Sequence, residues 1–187
     1  MSIHEDEQNV SQSLEDGNYV EAIRMLNLLA EKKSHYALLS LGWIYETGVA
    51  GVIDKLSAQR YYENSIAEGG MAAYFELGRL LASQGGEAQA RLTFEAGAKL
   101  GDIPCMARLG KMMVEGRGGS ADIGAGSAWL ERAAAQGHIH AQRTLLAIDE
   151  RNARSVLEKL SIKRKIASLA KRGAEEMLKD PHSDKVR

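Results

Sequence analysis

A self-similarity at a spacing of 68 residues limits what this chain can fold into more than any other feature. The series Ala37, Leu41-Gly42, Tyr45, Gly48, Asp54, Ala58, Tyr61 and Gly69 returns 68 positions later. It reappears as Cys105, Leu109-Gly110, Met113, Gly116, Asp122, Gly126, Trp129 and Gly137. Small, apolar, glycine, acidic and aromatic classes all keep register, which is the signature of stacked structural repeats. A third copy lies between these two. Its first half follows the first copy at 36 residues (Ala73, Leu77-Gly78, Leu81), and its second half follows at 32 (Ala90, Phe94, Ala98, Gly101). The deficit of four falls in segment 82–89. A length change there implies a surface loop, because packed helices do not tolerate one. A partial fourth copy follows with Ala141 and Leu145, and GNYVEAIRMLNLLAEKKS upstream reads as the second helix of a degenerate leading repeat. Divergent end units are expected where a stack meets solvent.

Each half-repeat has helical periodicity. Ala37, Leu41, Ile44-Tyr45 and Ala58, Tyr61-Tyr62, Ile66 follow i, i+3, i+4 spacing. Hydrophobic residues make up 44% of the chain and aromatics only 5%, so the core is expected to be mainly Ala, Leu, Ile, Val and Met. Two prolines leave helices uninterrupted, and the 19 glycines fall largely at recurring turns. Gly69, Gly101 and Gly137 fit the left-handed position that ends a helix. Gly42, Gly78 and Gly110 lack a side chain where a partner helix would approach closely.

Segments YALLSLGWIYETGVAGVIDKLSAQRYYENSIAEGG and CMARLGKMMVEGRGGSADIGAGSAWLERAAAQGH resemble Sel-1-like repeats, relatives of the tetratricopeptide repeat. In that family an A-x-x-x-L-G-x-x-Y-x-x-G helix is followed by a Gly-containing loop and an A-x-x-W-Y-x-x-A-A-x-x-G helix. Departures are the shortened middle loop, Gly126 for Ala, and Met113 and Leu81 for Tyr. The resemblance implies an all-α fold, an α/α superhelical solenoid of tetratricopeptide-like helix pairs. Plain tetratricopeptide repeats fit less well, given the 36-residue period and the long interhelical loop. The organisation expected is a degenerate repeat or cap over 1–34 and repeats over 35–149, divided as 35–70, 71–102, 103–138 and a partial 139–149. A basic capping helix with a disordered tail, PHSDKVR, then fills 150–187.

Charge and composition exclude several function classes. A net charge of −1 gives no general attraction to nucleic acid. The single cysteine, Cys105, excludes an intrachain disulfide and a cysteine-based zinc cluster. MSIHEDEQNV lacks an apolar signal region, and no apolar run is long enough to span a bilayer, so a cytoplasmic location is expected. GRGGS at 116–120 lacks the Gly-Lys-Ser/Thr ending of a phosphate-binding loop and sits where the repeat carries a glycine loop. Cys105, His138 and His140 do not have metal-ligand spacing on one helix face, so no metal or cofactor is expected. Asp54 and Asp122 recur at equivalent loop positions, which points to helix caps rather than catalytic acids. Trp129 matches the second-helix aromatic and is expected in the core.

No catalytic constellation converges, so the chain is read as a scaffold and not an enzyme, with no small-molecule substrate. The first helix of each pair lines the concave face in tetratricopeptide-like solenoids. Its groove positions here are Tyr36, Leu39, Trp43, Phe75, Arg79, Lys111, His140 and Arg143. That pattern suggests an aromatic entrance followed by a basic stripe. It suits another protein or an extended peptide that is acidic with apolar anchors. Packing of Trp43 and Phe75 between neighbouring helices is the alternative. The family's breadth suggests a bacterial regulatory, envelope or secretion-related adaptor. The basic segment after Asp149 would place Ile162, Ile166, Leu169 and Met177 on one side to cap the last repeat. The rival reading has that helix reach anionic membrane or an acidic partner.

Overall fold

A computed structural model describes residues 3–179; the PHSDKVR tail lies outside the described residues. Among the described residues there are ten helices and no strand. The chain forms two compact units, one up to Gly85 and one from Gly86. The break falls within the segment read as the middle repeat.

The first unit holds α1 (Ile3–Glu15), α2 (Tyr19–Glu31), α3 (His35–Thr47), α4 (Lys55–Ala67) and α5 (Ala72–Ser83). The second holds α6 (Glu87–Leu100), α7 (Ile103–Glu115), α8 (Ile123–Ala135), α9 (Ile139–Asn152) and α10 (Val156–Lys179). The 68-residue period carries α3 onto α7 and α4 onto α8, first residue to first and last to last.

Their ends repeat for the same physical reasons. Ser34 and Asp102 cap α3 and α7, accepting from the amides of Ala37 at 3.2 Å and Cys105 at 2.7 Å. Gly48 and Gly116 end these helices with φ of 71° and 70°, a left-handed backbone that a side chain would strain. The chain then turns back so that the amides of Asp54 and Asp122 donate to Tyr45 O and Met113 O. Both aspartates are N-caps. Asp54 accepts from Leu56 N and Ser57 N, and Asp122 from Ala125 N. The hydroxyl of Ser57, followed by its amide, holds the Asp54 carboxyl below its ordinary range. Gly69, Gly101 and Gly137 have the positive φ expected of them.

Within a pair, the mid-helix glycines set the spacing. A Cβ on Gly42 would collide with the Tyr62 ring, which is itself fully buried. On Gly110 it would lie 2.7 Å from Gly126 O and 2.8 Å from Leu130 Cγ. Gly126, where the family has Ala, faces Gly110 O at the same distance. The two glycines let the α7 and α8 backbones meet.

In the first unit Val10, Leu26, Leu29, Ala37, Leu41 and Ile44 form one core cluster, and Ala58, Tyr62, Leu77 and Leu80 another. In the second unit α10 packs on α9, with Ile162 and Leu169 buried and Leu169 against Ile139 and Leu146. Met177 does not join them; it is 54% exposed, because the helix has run past the residues it covers. Trp129 also departs from expectation. It is half-buried, and the Arg132 guanidinium lies over its ring at 4.4 Å. The middle connector is the three residues 84–86, against seven in each of the loops 48–54 and 116–122.

Candidate binding cleft

The residues expected to line a groove fall into both units, and each unit treats them differently. In the first, Tyr36 is half-buried against the core, its hydroxyl 3.0 Å from Ser11 Oγ. Leu39 packs beside Ala58, Tyr62, Leu77 and Leu80. Phe75 is a correction: only 6% of it is exposed, so its ring offers no surface to a partner. Arg79 is a second correction, because its charge is already matched. Its guanidinium donates to Glu46 Oε2 at 2.6 Å and Glu76 Oε2 at 3.0 Å. Glu46 also accepts from the Tyr62 hydroxyl at 2.8 Å. Burial, followed by the Glu46 carboxylate, pushes the Tyr62 phenol above its ordinary range, so it stays a donor. Trp43 alone of the first-unit aromatic positions named for the groove remains substantially open, at 41%.

A hollow of about 610 Å³ between α1 and α2 contains none of these residues. Its charges are largely paired within the wall: Arg24 with Glu21, and Lys32 with Asp6 at 3.7 Å. Two cations thus face two carboxylates, and the hollow has no surplus of either charge.

The second unit brings Lys111, His140 and Arg143 together. On α7, Arg108, Lys111 and Val114-Glu115 share one face; on α9, His140, Arg143-Thr144, Ala147 and Arg151 do the same. The faces border two adjoining cavities of about 320 and 240 Å³, which share Lys111, His140 and Thr144. The larger adds Val114, Ala147, Ile148 and Ile166 as an apolar wall. Three permanent cations, Lys111, Arg143 and Arg151, line the larger cavity with one carboxylate, Glu115. Glu115 is 3.9 Å from Lys111 Nζ and 3.9 Å from Arg117, so neither contact is tight. Half-exposed pairs at such distance contribute about 0–1 kcal/mol.

His138 also lines the smaller cavity, and nothing in its sequence spacing assigns it there. It caps α9, with Nδ1 accepting from Ala141 N at 3.0 Å, where the equivalent caps are Ser34 and Asp102. Only 1% of it is exposed. Burial first, then His140 and Arg108, lowers its pKa from 6.5 to about 4. The imidazole is therefore neutral near pH 7, and because Nδ1 accepts, the proton sits on Nε2. Among the described residues no protein atom accepts from Nε2. The period could have marked this residue as a cap, since it falls 36 after Asp102.

The depressed pKa has a consequence for stability. Between pH 6.5 and about 4 the unfolded chain binds a proton that the folded chain does not. Stability is then lost as pH falls through that window, by as much as ~3 kcal/mol. Denaturant titrations at the two ends of the window are expected to show a loss that His138→Asn removes, since asparagine keeps a cap acceptor without the titration. Equal losses in both proteins would contradict the assignment.

Cys105 is fully buried at the repeat position of Ala37, Ala73 and Ala141. The GRGGS loop is packed onto α6. Arg117 pairs with Glu87, Arg91 Nη1 donates to Ser120 O at 3.0 Å, and Gly118 lies against the Glu87 backbone. These contacts tie the loop to its own chain. No described helix is long and apolar enough to cross a membrane.

The helix pairs, their caps and their period define an all-α repeat protein of the solenoid class. No family model and no curated protein matches the chain, but solved structures do. A protective antigen of uropathogenic Escherichia coli with an SLR fold is 25% identical at a TM-score of 0.67, covering 82% of this chain and 34% of the antigen. A Sel1 repeat protein from Oxalobacter formigenes is 26% identical at 0.67, covering 79% of this chain and 64% of that one. An immunity protein of Pseudomonas aeruginosa shares the fold at 20% identity and a TM-score of 0.51, covering 70% of this chain and 50% of its own. Its fold is that of these Sel1-repeat (SLR) structures, to which it is similar over about four fifths of its length. It spans about a third of the length of the first neighbour and just under two thirds of the second.

Proposed function

We propose that this chain is a non-enzymatic scaffold that holds an acidic, extended segment of another protein in the α7–α9 cleft of its second unit. The observation that carries this reading is the excess of cations over carboxylates along the larger cavity, beside an apolar wall. Acidic side chains would meet Lys111, Arg143 and Arg151, and an apolar anchor would meet Val114, Ile148 and Ile166. Aromatic anchoring at Trp43 in the first unit remains part of the reading. A bacterial regulatory, envelope or secretion-related setting agrees with the bacterial sources of the structural neighbours. Selection from a random peptide library tests the proposal. Enriched peptides are expected to combine Asp or Glu with an apolar anchor and to cross-link to α7 and α9. Enrichment of neutral or basic peptides would reject it.

A second reading rests on α10, whose outer side exposes Val156 (74%), Leu157 (80%) and Leu178 (87%) among lysines and arginines. Such a helix can lie at an anionic lipid surface. Flotation with phosphatidylserine vesicles is expected to require residues 156–179 if so; absence of flotation sinks this reading and leaves the first.

A further inference from the structure

The last helix pair departs from the repeat at one position, and a groove opens beside it. Counting on by 36 from Gly110 reaches Leu146, so the Leu-Gly pair becomes Leu145-Leu146. In earlier pairs that glycine lets the second helix in. A Cβ on Gly42 would strike Tyr62 of α4, and one on Gly110 would strike Leu130 of α8. Leu146 instead puts a full side chain there, packed against Ile139 and Leu169. Helices α9 and α10 accordingly meet less closely than α7 and α8, although α10 has 24 residues and α8 only 13. The neighbouring leucine shows the result. Leu41 and Leu109 are 0% and 1% exposed, whereas Leu145 is only half-buried. It shares with Leu146 and Leu169 the apolar floor of a cavity of about 420 Å³. Along one flank of α10, Lys165, Ser168 and Arg172 follow at the spacing of a helical turn and complete the wall. Gln142, the remaining lining residue, donates its amide to Ala134 O at 3.2 Å. Among the described residues no carboxylate lines this groove, and neither Lys165 nor Arg172 forms an ion pair. Lys165 also borders a hollow lined by Asp149 and Glu158, without pairing with either.

We infer that the α9–α10 groove binds a single-chain amphiphile with an anionic headgroup, of the fatty-acid carboxylate kind. The chain lies on Leu145, Leu146 and Leu169, and the headgroup meets Lys165 and Arg172, with the Ser168 hydroxyl as a further donor. The volume falls in the ~300–1,000 Å³ range of small-molecule sites, which are mostly apolar with a few placed polar groups. Two unmatched cations beside an apolar floor select an anion over a neutral or cationic chain. The recessed floor favours one molecule over a bilayer. Leu145 and Leu146 are half-buried, while Val156, Leu157 and Leu178, the residues offered to a membrane, are 74%, 80% and 87% exposed. The site uses none of the α9 residues that line the α7–α9 cleft, so it does not depend on the proposed function.

Leucine-methyl NMR and calorimetry on the full chain test this with decanoate, kept below the concentration at which it forms micelles. Decanol and decylammonium serve as the neutral and cationic matches. Decanoate is expected to bind one-to-one and to shift the methyls of Leu145, Leu146 and Leu169. Decanol should bind about tenfold more weakly, and decylammonium more weakly still. Lys165→Glu combined with Arg172→Glu is expected to weaken decanoate about tenfold and to leave decanol unchanged. Ser168→Trp sets a ring over the floor from an exposed position, so the melting temperature should hold while both ligands are lost. Equal binding of the three probes, or decanoate shifts that saturate at other residues, would overturn the inference. So would a decanoate affinity that neither variant changes. Flotation with phosphatidylserine vesicles, without any decanoate shift at the three leucines, would assign this face to a bilayer and overturn it as well.

Discussion

Replacing Lys111 and Arg143 together by glutamate is expected to weaken capture of an acidic segment about a hundredfold. Each reversal turns an attraction into a repulsion across a partly desolvated wall, so the pair together is worth about 3 kcal/mol, and every 1.4 kcal/mol is tenfold in affinity. Both positions are half-buried surface sites, and the contact of Lys111 with Glu115 is loose at 3.9 Å. Helicity and melting temperature should therefore stay close to the parent, within the roughly ±0.5 kcal/mol typical of surface changes. Fluorescence anisotropy with a labelled acidic peptide reads the affinity. The parent's affinity should also fall with added salt, because charges at a cleft mouth are screened over about 10 Å. Unchanged affinity in the double variant would place the peptide elsewhere.

The second large effect concerns the fold. Gly110→Ala is expected to destabilise the second unit, and Gly173→Ala to stabilise it. Both substitutions remove a mid-helix glycine, which on propensity alone gains about 1 kcal/mol. At Gly110 the new methyl meets Gly126 O at 2.7 Å and the Leu130 backbone nitrogen at 3.0 Å. Backbone atoms cannot step aside as a flexible side chain can, and overpacking costs about 1–3 kcal/mol, occasionally more. The collision outweighs the propensity gain. At Gly173 the nearest atom is Ile139 Cγ2 at 3.5 Å, an ordinary contact, so the propensity gain survives. Thermal melts followed by circular dichroism should move in opposite directions by a few degrees. A Gly110→Ala protein that melts as high as the parent would remove the reason given for the recurring Leu-Gly pair.

The period makes the helices legible because each repeat solves the same local problem with the same residue classes. Leu-Gly marks the close approach, Gly48 and Gly116 mark the left-handed ends, and Asp54 and Asp122 mark the caps. Those determinants lie within a few residues of what they determine. The site is less legible because its determinants are distant. Arg79 loses its free charge to Glu46, which is 33 residues away in sequence. Whether Phe75 is buried depends on what packs around it, and periodicity cannot report that. Lys111, His140 and Arg143 can be named from helix position, but their joining with Arg108 and Arg151 follows from α9 lying beside α7. His138 is obscured for another reason. Its spacing to His140 draws attention to metal chemistry, whereas its place in the repeat makes it a cap with a spare donor.

The central claim is that the second unit acts by holding an acidic segment between α7 and α9. Backbone NMR of the ¹⁵N-labelled chain, titrated with a selected acidic peptide, tests it most directly. Saturable shifts are expected at Arg108, Lys111, Glu115, His140, Arg143 and Arg151, the residues bordering the two cavities. Shifts confined to the α1–α2 hollow, or spread evenly without saturation, would contradict it.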